Sequence, residues 1–310
     1  MVAASEKSPK LGVLVGFDGS AHAINALRWG ARAAVLRDTS LTVVSAHLFP
    51  FDNYPSHEQM DSMSRQIAED QLTSAREILS DYPIEQTVSY QTLVDDASGA
   101  LVQLSADAEL VVIGQRGRSK FWSGILGSVA SELPAHAECP TVIVYGSEPD
   151  TGEEPGSVDL RESYDTRAVY VGVDGSTHAR NAALVAAVEA KRLGVELKIV
   201  QALPYLTDAS SAWSLHAYED TAQLVHQEVM DALTAEIEVL QQQITGVEMS
   251  AQVMRGSPAQ AMVECTQWAQ LTVLGTRGRG GFSSLLLGSV SRSTLANARG
   301  TVMVVPLEQK

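Results

Sequence analysis

Cysteine is almost missing from this chain of 310 residues. The two present, Cys139 and Cys265, lie in different halves and match no metal spacing, so they are expected as buried, reduced thiols. Long apolar runs are missing too, which excludes a membrane-spanning helix. The first residues, MVAASEKSPK, lack an apolar h-region, so no secretory signal is expected and the chain reads as cytoplasmic. Bases are few: 22 Lys and Arg stand against 37 Asp and Glu, a net charge of -15. That balance argues against general binding of DNA or RNA, which needs a basic surface. No paired carboxylates, Ser-His-Asp arrangement or Cys-His pair stands out, so no catalytic residue is assigned. No G-K-[ST] occurs, so the chain has no Walker-type phosphate loop.

What the chain does have, it has twice. LGVLVGFDGS at 11–20 matches RAVYVGVDGS at 167–176, and Asp174 follows Asp18 by 156 residues. Ala202 follows Ala46 by the same 156. GQRGRSKFWSGILGS at 114–128 and GTRGRGGFSSLLLGS at 275–289 share the spacing G-x2-G-x9-G-S, now 161 residues apart. Five extra residues therefore enter the second copy between its second strand and its glycine loop. A repeat this long is a duplicated domain, not a solenoid unit of about 20–50 residues. Residues 147–166, rich in Pro, Gly, Ser and acids, read as an exposed linker between domains at 1–146 and 167–310.

Each half alternates strands and helices. Strands are expected at 12–17, 41–46, 86–94, 110–114 and 141–145, and at 168–173, 197–202, 248–255, 271–275 and 301–305. Helices start at Ser20 and Ser176, and long amphipathic ones run near 58–80 and 214–243. In the last of these, Leu224, Val225, Met230, Leu233, Ile237 and Leu240 read as core. Short β-rich runs without alternation are strands buried on both faces. The fold class is α/β: two tandem, doubly wound, parallel five-stranded sheets of Rossmann-like type.

In such sheets ligands sit beyond the carboxyl ends of the strands. The glycine loop starts where the fourth strand ends. Its glycines are expected to let backbone N–H groups approach an anion, with positive φ where needed. Gly127-Ser128 and Gly288-Ser289 then open a helix whose N-terminus suits a phosphate, with Ser as cap or hydroxyl donor. The loops are locally basic, through Arg116, Arg118 and Lys120 in one copy and Arg277 and Arg279 in the other. Asp18 and Asp174 end the first strand of each half, where a carboxylate can bond a ribose or lie near phosphate-bound Mg²⁺, or simply close a turn. His22 and His178 read as surface residues of the first helical turn.

V-G-x-D-G-S and G-x2-G-x9-G-S together resemble the universal stress protein family in its tandem form, as in mycobacteria. The resemblance spans nearly the whole chain outside the linker and tails, and the glycine spacing resembles that of members that bind ATP. It implies one ATP per domain. Asp18 and Asp174 would lie near ribose. Ala46 and Ala202 would read the adenine edge. Gly114, Gly117, Gly127, Ser128 and Val129 would cradle ribose and phosphates, as would Gly275, Gly278, Gly288, Ser289 and Val290. Mg²⁺ is expected only on the phosphates, near Asp18 and Asp174. The family also implies a homodimer and a stress-response regulator. A slow ATPase and a sensor of another adenine nucleotide such as cAMP stay open. Where the second copy reads Arg255-Gly256-Ser257-Pro258, near the family pattern, the first reads Val94-Asp95-Asp96-Ala97, and those carboxylates are expected to weaken the first site.

Overall fold

A computed structural model describes residues 10–48, 57–80, 82, 84, 86–117, 126–146, 165–204, 212–279 and 286–307, with side chains for all but 57 and 212–221. The chain divides into two compact units, Met1–Glu162 and Ser163–Lys310. Most of the stretch that reads as a linker, 147–164, lies outside the described residues. At its end, Asp165 pairs with Arg167 at 2.7 Å, and its carbonyl accepts the Gln270 side chain of the second unit.

The first unit runs β1 (Val13–Gly16), α1 (Ala21–Arg37), β2 (Leu41–Ala46), α2 (His57–Ser80), β3 (Val88–Leu93), α3 (Ala97–Ser105), β4 (Leu110–Gly114), α4 (Ser128–His136) and β5 (Thr141–Val144). Its strands pair in the order β3-β2-β1-β4-β5, all parallel. The second unit repeats the plan with β6 (Val169–Gly172), α5 (Thr177–Leu193), β7 (Leu197–Leu203), α6 (Ala212–Gln243), β8 (Met249–Arg255), α7 (Pro258–Trp268), β9 (Leu271–Gly275), α8 (Ser289–Asn297) and β10 (Val302–Val305). Its order is β8-β7-β6-β9-β10, again parallel. In both units the order reverses between the first and fourth strands, so the loops that follow them diverge and leave a crevice.

The central strands are buried along their length, as covered parallel strands must be. Small residues make the helix–sheet contact close. α1 buries Ala23, Ala26, Leu27, Ala31 and Ala34, and α5 buries Ala179, Ala182, Ala183, Ala186 and Ala190. Ser20 and Ser176 start these helices, each hydroxyl accepting the N–H three residues on at 3.2 Å. Cys139 and Cys265 are free and buried, and burial pushes both thiols up to about 12, away from thiolate chemistry.

The long helix α6 departs from expectation. Leu233, Ile237 and Leu240 are buried, but Leu224 is 65% exposed. At 1.5 Å per residue, 32 residues span about 48 Å, roughly twice the ~23 Å of seven-residue β8. The helix therefore outruns the strand, and Leu224 lies outside its buried stretch. Among the described residues no helix is long and apolar enough to cross a membrane.

Two leucines of the second unit test this division. Leu271→Ala, at a residue 1% exposed, is expected to lower unfolding stability by about 2–5 kcal/mol. Leu224→Ala is expected to change it by less than about 0.5 kcal/mol. Urea unfolding of the two variants checks both values.

Candidate functional site

Each unit has a cavity at the carboxyl edge of its sheet, over the crevice. The first measures about 580 Å³ and the second about 450 Å³, within the usual range for a small-molecule site. The first is lined by Asp18 after β1, Ala46 at the end of β2, Gly114 and Gly117 around the end of β4, and Gly127, Ser128 and Val129 at the start of α4. The second is lined by Asp174, Ala202, Gly275, Gly278, Gly288, Ser289 and Val290, at the same places in the repeat. The structure thus brings all fourteen residues into two cavity walls.

The glycine spacing has a mechanical cause. None of the six spaced glycines has positive φ, so that expectation is corrected: they serve close approach. A Cβ on Gly114 would lie 2.7 Å from the carbonyl carbon of His22, and one on Gly275 would lie 3.0 Å from the carbonyl oxygen of His178. The first glycine therefore admits the first turn of α1 or α5. A Cβ on Gly117 would lie 2.6 Å from Asp18 Oδ2, and one on Gly278 would collide with Asp174 Oδ2. The second glycine admits the carboxylate. The third, Gly127 or Gly288, is the N-cap of the next helix, and its N–H donates back to Gln115 O at 2.9 Å or Thr276 O at 2.7 Å. Positive φ falls instead on Gly19 and Gly175, both at 77°, which turn the chain after each Asp.

The caps correct a second expectation. Ser128 and Ser289 do not cap; they are the first helical residues, and neither helix has a side-chain cap bond. The N–H groups of the first turn have no intrahelical acceptor, so they face the cavity as donors at the positive end of the dipole. Ser291, in the same turn, pins α8 by donating to Gly275 O at 2.7 Å.

Asp174 ties the two loops together. Its Oδ1 accepts the Ser176 N–H at 3.0 Å and its Oδ2 accepts the Arg279 N–H at 2.7 Å. Asp18 Oδ1 accepts the Ser20 N–H at 3.0 Å in the same way. Burial would raise the Asp174 pKa, but hydrogen bonds from Ser176 and Arg279 and the Arg279 charge together hold the carboxyl below its ordinary value. His22 and His178 are half-buried, not surface residues. Burial and the neighbouring Arg277 lower the His178 pKa against the pull of Asp174. Of the basic residues, Arg116 lines the first cavity, and Arg277 and Arg279 line the second. Arg118 and Lys120 lie outside the described residues.

Asp95 and Asp96 do not line the first cavity. Asp96 is the N-cap of α3 and accepts the Gly99 N–H at 3.0 Å, the role that Ser257 plays for α7. Asp95 accepts the Asp96 N–H at 2.7 Å. These bonds place both carboxylates at the start of α3, beside the cavity wall that Ala97 joins.

The apolar wall was not singled out in the motifs. Phe17, Leu101 and Ile113 supply it in the first unit, and Val173, Met262 and Leu274 in the second. Their signal was present only as ordinary strand and helix core. Among the described residues no cluster of three or more His, Cys, Asp or Glu could hold a metal ion.

Comparison with known proteins identifies the family. The family model described as the universal stress protein family matches residues 12–145 and again 166–306. A universal stress protein of Mycobacterium tuberculosis is 33% identical over 309 residues, covering 94% of this chain and 96% of the relative. One from Mycolicibacterium smegmatis is 29% identical over 316 residues, covering 97% and 98%. The crystal structure of a universal stress protein from Archaeoglobus fulgidus shares the fold, with a TM-score of 0.66 and 19% identity over 97% of this chain and 99% of that one. With both units matched and the same loop architecture in each, the chain belongs to the universal stress protein family, in tandem form.

Proposed function

We propose that the chain is a regulatory stress-response protein that binds one adenine nucleotide, ATP foremost, in each unit. The observation that carries this reading is the twofold construction of one cavity. In each unit an uncapped helix N-terminus, a glycine loop and a carboxylate face the same space. The helix N-terminus and the arginines suit phosphates. Asp18 and Asp174 suit ribose hydroxyls, which donate to carboxylate oxygens. The ends of β2 and β7, at Ala46 and Ala202, offer backbone groups to a base edge. Mg²⁺ enters with the phosphates, held by them and by water near Asp18 and Asp174.

Binding is the activity this reading assigns, and slow ATP hydrolysis is its alternative. No Lys lines either cavity among the described residues, so none is committed to the terminal phosphates. The nucleotide acts as a signal in the cytoplasm, and two chains pair as a homodimer.

Calorimetric titration with ATP tests the reading. Gly278→Val places a branched side chain against the Asp174 carboxylate and is expected to weaken ATP at the second cavity by at least about tenfold. Gly117→Val is expected to do the same at the first, and the double variant to bind no ATP. Full binding by the double variant, with unchanged circular dichroism, sinks the proposal. Bound cAMP that ATP fails to displace would shift the reading to a cyclic nucleotide.

Asp174 allows a test without ligand. A carboxyl with a lowered folded pKa stabilises fully above its unfolded value, 3.8, and loses that contribution as pH falls through the folded value. Asp174→Asn is therefore expected to lower stability at pH 7, by on the order of 1 kcal/mol. The difference from the unaltered chain should shrink below about pH 4, where the carboxyl itself protonates. A difference constant from pH 7 to pH 3 in thermal unfolding would contradict the loop tie.

A further inference from the structure

The two cavities differ where the long helices meet them. In the first unit α2 places Gln71 in the wall, near Asp18 and Ala46. Gln71 is 8% exposed, and its Oε1 accepts the hydroxyl of Ser45, a fully buried residue of β2. Its Cγ sits under the turn after Asp18, 3.6 Å from where a Cβ on Gly19 would be. The side chain is therefore held from two sides. No hydrogen bond from its Nε2 occurs among the described residues, so the amide keeps a donor available in the cavity wall. An acceptor atom on a bound molecule can take this donor in place of water.

The second unit lacks this feature. Among the described residues, α6 contributes nothing to the wall of its cavity. Aligning the buried Ala68, Leu72 and Ala75 with Leu233, Ile237 and Leu240 puts Glu236 opposite Gln71. Ser45 is likewise replaced by Gln201 at the repeat offset. Glu236 Oε1 is buried without a hydrogen-bond partner, and burial raises its carboxyl pKa. It is not among the residues that line the cavity.

We propose that Gln71 is a specificity-determining residue of the first cavity. Its Nε2 donates to an acceptor atom of the bound nucleoside, a contact that the second cavity does not make. The two sites of one chain therefore rank ligands differently. This rests on the nucleotide reading above.

The test uses the full chain carrying Gly278→Val, so that only the first cavity takes ATP. Gln71→Met keeps the length of the side chain and removes the donor. It is expected to raise the Kd for ATP about tenfold, the effect of one well-placed hydrogen bond. Gln71→Glu, with an acceptor in place of the donor, is expected to raise it at least as much. In the chain carrying Gly117→Val, Glu236→Gln and Glu236→Met are expected to leave the Kd of the second cavity within about twofold. A Kd within twofold of the parent for both Gln71 variants overturns this proposal alone. So does an equal loss for the Glu236 variants, which would make the effect one of helix packing. Absence of ATP binding in the chain with no substitutions overturns the nucleotide reading and this proposal together.

Discussion

The carboxylate that closes the first strand of each unit is the constraint around which the site is built. Asp174 accepts backbone N–H groups from the turn after β6 and from the loop after β9. Those two loops leave neighbouring strands on either side of the reversal in strand order. Without a tie, nothing in a parallel sheet requires them to stay close. The tie needs a residue without a side chain on the facing loop, because the carboxylate fills the space that a Cβ would take. It also needs a tight turn after the Asp, which Gly175 supplies with positive φ. One ionised group thereby fixes the positions of a turn, a glycine loop and, through that loop, the start of a helix.

The rest of the unit serves that edge. Alanine faces on α1 and α5 bring those helices close to the sheet, and the first turn of each then meets the end of the fourth strand, where only glycine fits. His22 and His178, in this first turn, are partly buried. The burial and the Arg277 charge keep His178 towards its neutral form, so that it adds little positive charge beside Asp174. Cationic character is left to the arginines of the loops. This arrangement is electrostatically sparse, with one carboxylate and one or two described arginines per cavity wall.

Much of this was legible in the sequence, because the signals were local and repeated. V-G-x-D-G-S and G-x2-G-x9-G-S mark the strand ends, and the observed strands fall within about two residues of the expected ones. The reasons for the glycines were not legible. A glycine required by positive φ and one required by a neighbour 2.7 Å away look alike in one dimension. Ser128 and Ser289 follow a helix-opening glycine, and capping chemistry favours serine; only the backbone angles show that the cap is the glycine before it. Leu224 has the spacing of a core residue, but spacing cannot tell where the strand beneath a helix ends. Gln71 carried no signal because the long helices diverge between the copies, and the partner that holds it, Ser45, lies 26 residues earlier in the chain.

Equilibrium dialysis of the full chain against labelled ATP, at saturating concentration with Mg²⁺, tests the central claim most directly. Two cavities of one construction require close to two ATP bound per chain. No ATP retained by the folded chain would contradict the account, since both helix N-termini and both carboxylates would then serve the fold alone.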